Sequence, residues 1–120
     1  MSEKINSYRD LIVWQKAMDL VVSIYELTEN YPKSELYGLI SQTRRAAVSI
    51  PLNIAEGRRR GGAKEYHHFL QISYGSGAEL ETALEIARRL PWGKSLDFKK
   101  ANLLLNEVMR MLNAMINCRP

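Results

Sequence analysis

At 120 residues, with 46% hydrophobic and 25% charged side chains, the chain has the size and balance of one globular domain spanning 1–120. No apolar run approaches the ~18 residues of a membrane span, and the opening residues lack the apolar stretch of a secretory leader. A net charge of +4 is too mild to imply a polyanionic partner alone, and the single cysteine, Cys118, cannot form an internal disulfide, so a reducing cytoplasm is expected.

The spacing predicts a first helix over Tyr8–Asn30. Ser7 followed by Asp10 resembles a capping box, and Pro32 closes the segment. Trp14, Ala17, Met18, Val21, Tyr25 and Thr28 recur at the interval of a buried stripe. Val13, Leu20 and Leu27 form a second line, spaced by sevens, about 100–140° away. With Ile24 between them, the two lines widen the apolar arc to about 200°, beyond what a bundle helix buries in its own protomer. The Val13–Leu20–Leu27 line is therefore expected to meet another subunit.

A second helix is predicted over Ser34–Arg58, with Ser34 as N-cap and Glu35 in the first turn. Leu39, Thr43, Ala46, Ala47, Ile50 and Ile54 share one face, with Val48 and Leu52 opposite. Pro51 removes one backbone donor inside this pattern, so a kink and not a break is expected. Gly57, then Gly61 and Gly62, end the segment.

A third helix is predicted over Ala63–Leu90, with Phe69, Ile72, Ser73, Ser76, Leu80, Ala83, Leu84 and Ala87 as its stripe. Gly75 and Gly77 each cost about 1 kcal/mol against alanine. Gly75, Ala78 and Thr82 form a smooth strip away from Phe69, where another backbone can approach closely. This strip, with the surplus arc of the first helix, predicts a homo-oligomer. Pro91, Trp92 and Gly93 stop the helix. The last runs over Ser95–Asn117, capped by Ser95, with Ala101, Leu104, Leu105, Val108, Met111, Leu112 and Met115 as core face. Short connections at Tyr31–Lys33, Arg59–Gly62 and Pro91–Lys94 force antiparallel neighbours, hence an all-α, up-and-down four-helix bundle.

The positive charge is uneven. Arg44, Arg45, Arg58, Arg59, Arg60 and Lys64 face one acidic residue, Glu56, so this stretch carries +5, more than the whole chain. A helix C-terminus favours cations by itself, which is the plain account of Arg58–Arg60. Three arginines beside a glycine pair also suit phosphate, because guanidinium forks onto its oxygens and glycines let a loop adapt. Repeated around a ring, such loops would add into a strong field. Arg88–Arg89 and Lys99–Lys100 lie toward the opposite end.

Catalytic constellations do not emerge. His67 and His68 are adjacent, so they diverge by about 100° on a helix and do not match metal-ligand spacing; Glu65 and His68 are at best one carboxylate–histidine pair. Gly75-Ser76-Gly77 has no preceding strand to make a nucleophile elbow. Glu79, Glu81 and Glu85 read as partners of Arg88 and Arg89. No cofactor is expected.

Several stretches carry a family resemblance: Tyr8 to Ala17, Tyr37 to Leu39, Gln42 to Pro51, Asn53 to Gly57, Glu65 to Leu70 and Gly75 to Thr82. The chain resembles the bacterial four-helix-bundle proteins encoded in intervening sequences of 23S ribosomal RNA genes, distantly related to accessory proteins of diversity-generating retroelements. The resemblance implies a homopentamer with a basic surface, and for the retroelement relatives a reverse transcriptase and nucleic acid as partners. By motif position Arg44, Arg45, Asn53 and Glu56 are its polar residues, with Asn53 and Glu56 open to satisfying backbone freed by Pro51 or to tying helices together. Leu52 stands where the family usually has a small polar residue.

The expectation is a non-enzymatic oligomeric scaffold whose basic rim binds structured RNA or DNA through phosphates. Arg58, Arg59, Arg60 and Lys64 come first and Arg44 and Arg45 second; the interface falls on Val13, Leu20, Leu27, Gly75, Ala78 and Thr82. The alternative is a protein-interaction module that does not touch nucleic acid. A nuclease would normally need clustered carboxylates for metal.

Overall fold

Side-chain contacts between neighbouring helices fix the architecture of the protein, whose computed structural model describes residues 7–118. The leader-free reading of residues 1–6 lies outside them. The helices are α1 (Ile12–Thr28), α2 (Ser41–Arg60), α3 (Ala63–Arg89) and α4 (Lys99–Ile116). Arg44 near the start of α2 bonds Thr28 at the end of α1. Ser49 of α2 meets Ser76 of α3 at 2.7 Å. His67 early in α3 reaches the carbonyl of Ile116 at the end of α4, and Lys16 of α1 pairs with Glu107 of α4 at 3.4 Å. Each pair is antiparallel, so the described residues form an up-and-down four-helix bundle measuring 53 × 24 × 23 Å.

The core corrects the phase expected for α1. Val13, Leu20 and Leu27 are 2%, 0% and 8% exposed and pack inside the protomer with Ala17, Ile24 and Thr28. They cannot serve as an interface with another subunit. Trp14 and Val21 are only half-buried, and Met18 and Tyr25 are exposed. The aromatic rings have local partners instead. Trp14 meets Tyr8 edge-on at 5.3 Å, and Tyr25 lies beneath the Arg44 guanidinium at 4.3 Å. The compact aliphatic line therefore takes the interior, where shape governs packing. A surplus apolar face remains on α1, but Ile12, Met18, Val22 and Tyr25 make it. The core faces expected for α2 and α4 are largely as read, and Gly75, Ala78 and Thr82 are exposed on α3.

The element boundaries differ at three places. A 3-10 turn, Tyr8–Asp10, precedes α1, with the Ser7 hydroxyl accepting from the Arg9 N–H at 3.1 Å. Between α1 and α2 the chain makes a 3-10 turn at Lys33–Glu35 and a widened turn at Leu36–Ile40, so the connection is longer than Tyr31–Lys33. Ser34 does not cap α2. The Glu35 carboxylate accepts from the Leu39 N–H, and Gly38 takes non-helical angles between them. Before α4, Asp97 and not Ser95 receives the first-turn N–H, from Lys99 at 2.9 Å.

Close helix approach explains two glycines. Gly57 does not end α2; it lies buried within it, where a Cβ would stand 2.6 Å from the Cβ of Phe69 on α3. Gly77 similarly admits Met109 of α4, whose sulfur would lie 2.2 Å from an added Cβ. Small residues thus set the spacing of α3 against both neighbours. The buried Ser73 hydroxyl donates to the Ile50 carbonyl at 2.9 Å, satisfying a polar group in this seam. Pro51 is buried in α2 and does not break it. Asn53 does not serve the carbonyl that Pro51 leaves free, because its amide donates to the Ser49 carbonyl at 2.8 Å. Glu56 instead pairs with Arg60.

At the other end Tyr31 packs on Trp92, ring centroids 4.7 Å apart, joining the first and last connections. Burial pushes the Tyr31 phenol from 10.0 up to about 12. The folded state therefore keeps this proton where the unfolded chain has lost it. The stabilisation is complete below pH 10 and declines as pH rises toward 12. Urea titrations at pH 9 and pH 11 should show the wild type losing about 1 kcal/mol more than Tyr31→Phe over that interval. Equal losses would refute this coupling.

Candidate nucleic-acid interface

The cations expected to form one surface occupy two levels of the bundle. Arg44 and Arg58 lie about 21 Å apart along the axis of α2. Arg44 belongs to the junction between α1 and α2. Its Nε donates to Thr28 Oγ1 at 2.8 Å, its guanidinium covers Tyr25, and it approaches Glu29 at 3.4 Å. Thr28 in turn donates to the Ile24 carbonyl at 2.8 Å, so Arg44 is held by a buried hydroxyl. It is a structural tie between helices, and the sequence grouping that joined it to Arg58 does not describe a single patch. Arg45 is exposed beside it, with only a 3.5 Å approach to Ser41 among the described residues.

Arg58, Arg59, Arg60 and Lys64 share the far end, where α2 stops and α3 starts. Gly61 makes the reversal possible, at φ +84° in the left-handed region that a side chain would strain. Only Gly61 and Gly62 separate the helices. The cations consequently stand on ordered helix ends and not on an adaptable loop. Arg60 is largely compensated, with Glu56 at 2.9 Å, Glu65 at 3.9 Å and the Phe69 ring beneath it. Arg58 is half-buried, 5.9 Å from the Tyr66 ring centroid. Burial raises the Tyr66 phenol, and the Arg58 charge opposes that rise.

Arg59 and Lys64 are exposed and make no ion pair among the described residues. They flank the N-terminus of α3, whose first turn has no side-chain cap. The N–H groups of a helix's first turn and the positive end of its dipole favour an anion, and Glu65 in this turn already meets part of that field. One cation went unread in the sequence: Arg9 is exposed on the Tyr8–Asp10 turn, which packs against α2. Up-and-down topology brings the start of α1 to the same end as the close of α2, although the two are far apart in the chain.

The remaining titratable groups are mostly engaged locally. His67 Nε2 lies 2.9 Å from the Ile116 carbonyl and so acts as the donor, while His68 meets Phe69 edge-on at 5.4 Å. At the opposite end Glu85 accepts from both Arg88 and Arg89, which holds its carboxyl at about 2. Glu79 and Glu81 form no such pair among the described residues. No three His, Cys, Asp or Glu side chains among the described residues converge as a metal site. No helix among them is long and apolar enough to cross a membrane.

The family described as 23S rRNA-intervening sequence protein matches residues 9–114. No curated protein matches the chain.

Proposed function

The chain belongs to the 23S rRNA-intervening sequence protein family, and from that premise we propose that it is a non-enzymatic, cytoplasmic oligomeric scaffold, with a homopentamer as the leading state, whose basic end binds structured RNA or duplex DNA. The observation that carries this reading is the placement of Arg59 and Lys64: exposed, without carboxylate partners among the described residues, and on either side of a helix start that has no side-chain cap and carries Glu65 in its first turn. Arg9 and Arg58 widen the same end. Phosphates are the chemical target, so binding is steeply salt-dependent and weakly sequence-specific.

Arg60 anchors Glu56 and Glu65, so replacing all three arginines would disturb the turn as well as the charge. The double variant Arg59→Ala/Lys64→Ala is the cleaner probe. Fluorescence anisotropy with a labelled RNA hairpin and a DNA duplex, at low and moderate salt, should show about tenfold weaker binding for the variant. The slope of log K against log salt should fall by about 2, one unit for each lost phosphate contact. If the wild type binds neither probe at low salt, the nucleic-acid reading is wrong.

A second reading rests on a different surface. Ile12, Met18, Val22 and Tyr25 expose the outer face of α1, with Leu52 and Leu103 also exposed on α2 and α4. Such area suits contact with further subunits or with a protein partner such as a reverse transcriptase. In that account Arg59→Ala/Lys64→Ala leaves partner binding intact.

A further inference from the structure

A polar cleft of about 370 Å³ lies between the start of α2 and the middle of α3, away from the basic end. Tyr37, Ser41, Gln42, Arg45, Ser49 and Glu79 line it. Tyr37 is 94% exposed, a large ring presented to solvent from the irregular Leu36–Ile40 turn. Burial of that ring contributes nothing to the protomer's core. Arg45 and Glu79 line the same cleft yet do not pair with each other, and among the described residues Arg45 has only its weak approach to Ser41. Ser49, by contrast, is already engaged by Ser76 and Asn53.

We propose that this cleft binds an unpaired guanine base of a nucleic acid, with Tyr37 as stacking platform, Glu79 reading the Watson–Crick edge and Arg45 the opposite edge. Guanine fits the set chemically. Its N1–H and N2–H groups donate to a carboxylate, and its O6 and N7 accept from a guanidinium fork. Adenine offers a carboxylate no such pair of donors on that edge, and pyrimidines lack N7. An exposed tyrosine beside hydrogen-bonding side chains is the usual means of holding a splayed-out base. Gln42 adds an amide at the rim. The inference deepens the nucleic-acid reading and changes the role of Arg45 from phosphate contact to base contact.

The test uses labelled single-stranded RNA heptamers, uridine throughout except for a central guanine or adenine, together with guanosine 5′-monophosphate and adenosine 5′-monophosphate by calorimetry. The wild type should bind the guanine heptamer about tenfold more tightly than the adenine one. Glu79→Gln, which places an amide donor against the guanine N–H groups, should abolish that preference. Tyr37→Ala should weaken the guanine heptamer about tenfold, with Tyr37→Phe close to wild type. Both positions bear exposed side chains, and circular dichroism would confirm unchanged folding. Salt-sensitive binding without guanine preference, or a preference that survives Glu79→Gln, overturns the cleft while leaving the basic end standing. Guanosine monophosphate binding lost in Glu79→Gln, with no binding of hairpin or duplex, supports the cleft and removes the basic end. No binding of any probe overturns both.

Discussion

Leu20→Asp is expected to unfold the protomer and not to release soluble monomers from an oligomer. Leu20 is fully buried in the hydrophobic core, at 0% exposure. An unpaired charge there costs several kcal/mol, comparable with the ~5–15 kcal/mol by which a domain of this kind is stable. Circular dichroism at 25 °C should show loss of helix, and Leu20→Ala should cost about 2–5 kcal/mol in urea. Val22→Asp supplies the contrast. Its side chain is 57% exposed on the opposite face of α1, so helix content should be retained. A folded Leu20→Asp monomer would return the Val13–Leu20–Leu27 line to the role of an interface.

Gly93→Ala should destabilise by about 3 kcal/mol or more. A Cβ on Gly93 would lie 1.8 Å from the Ala87 carbonyl oxygen and 2.7 Å from its carbon, and both are helix backbone that cannot swing aside. Relief requires moving the Pro91–Gly93 turn off α3, which also disturbs Trp92 on Tyr31. Gly75→Ala is the internal control, with open space where its methyl would go, and removing a mid-helix glycine should stabilise by about 1 kcal/mol. Urea denaturation of both variants decides the matter: a Gly93→Ala midpoint equal to wild type would show that the turn yields freely.

Helix content and antiparallel order were legible because α2, α3 and α4 carry strong periodic stripes between glycine or proline stops. The phase of α1 was not, since Trp14–Val21–Tyr25 and Val13–Leu20–Leu27 both satisfy a 3.6-residue period. Large aromatics drew the expected centre toward themselves, although their rings find partners in Tyr8 and Arg44. The Leu36–Ile40 stretch has a helical pattern too, and only the Glu35 cap with the Gly38 angles ends it there. For the basic surface, counting charge along the chain joined Arg44 to Arg58 and stopped at Lys64, just short of Glu65. Space divides the first pair and brings Glu65 to Arg60. The cleft at Tyr37 could not be seen, because Glu79 reaches it from another helix.

The two-residue reversal at Gly61 and Gly62 bears on what association costs. Ordering a mobile loop around an anion consumes conformational entropy at each residue immobilised. Here helix runs to Arg60 and resumes at Ala63, so the backbone carrying Arg59 and Lys64 is already fixed. What remains to be frozen is two side chains. In the binding proposed for this end, a preorganised pair of cations gives up little freedom on contact and would discriminate by the spacing of the charges it meets.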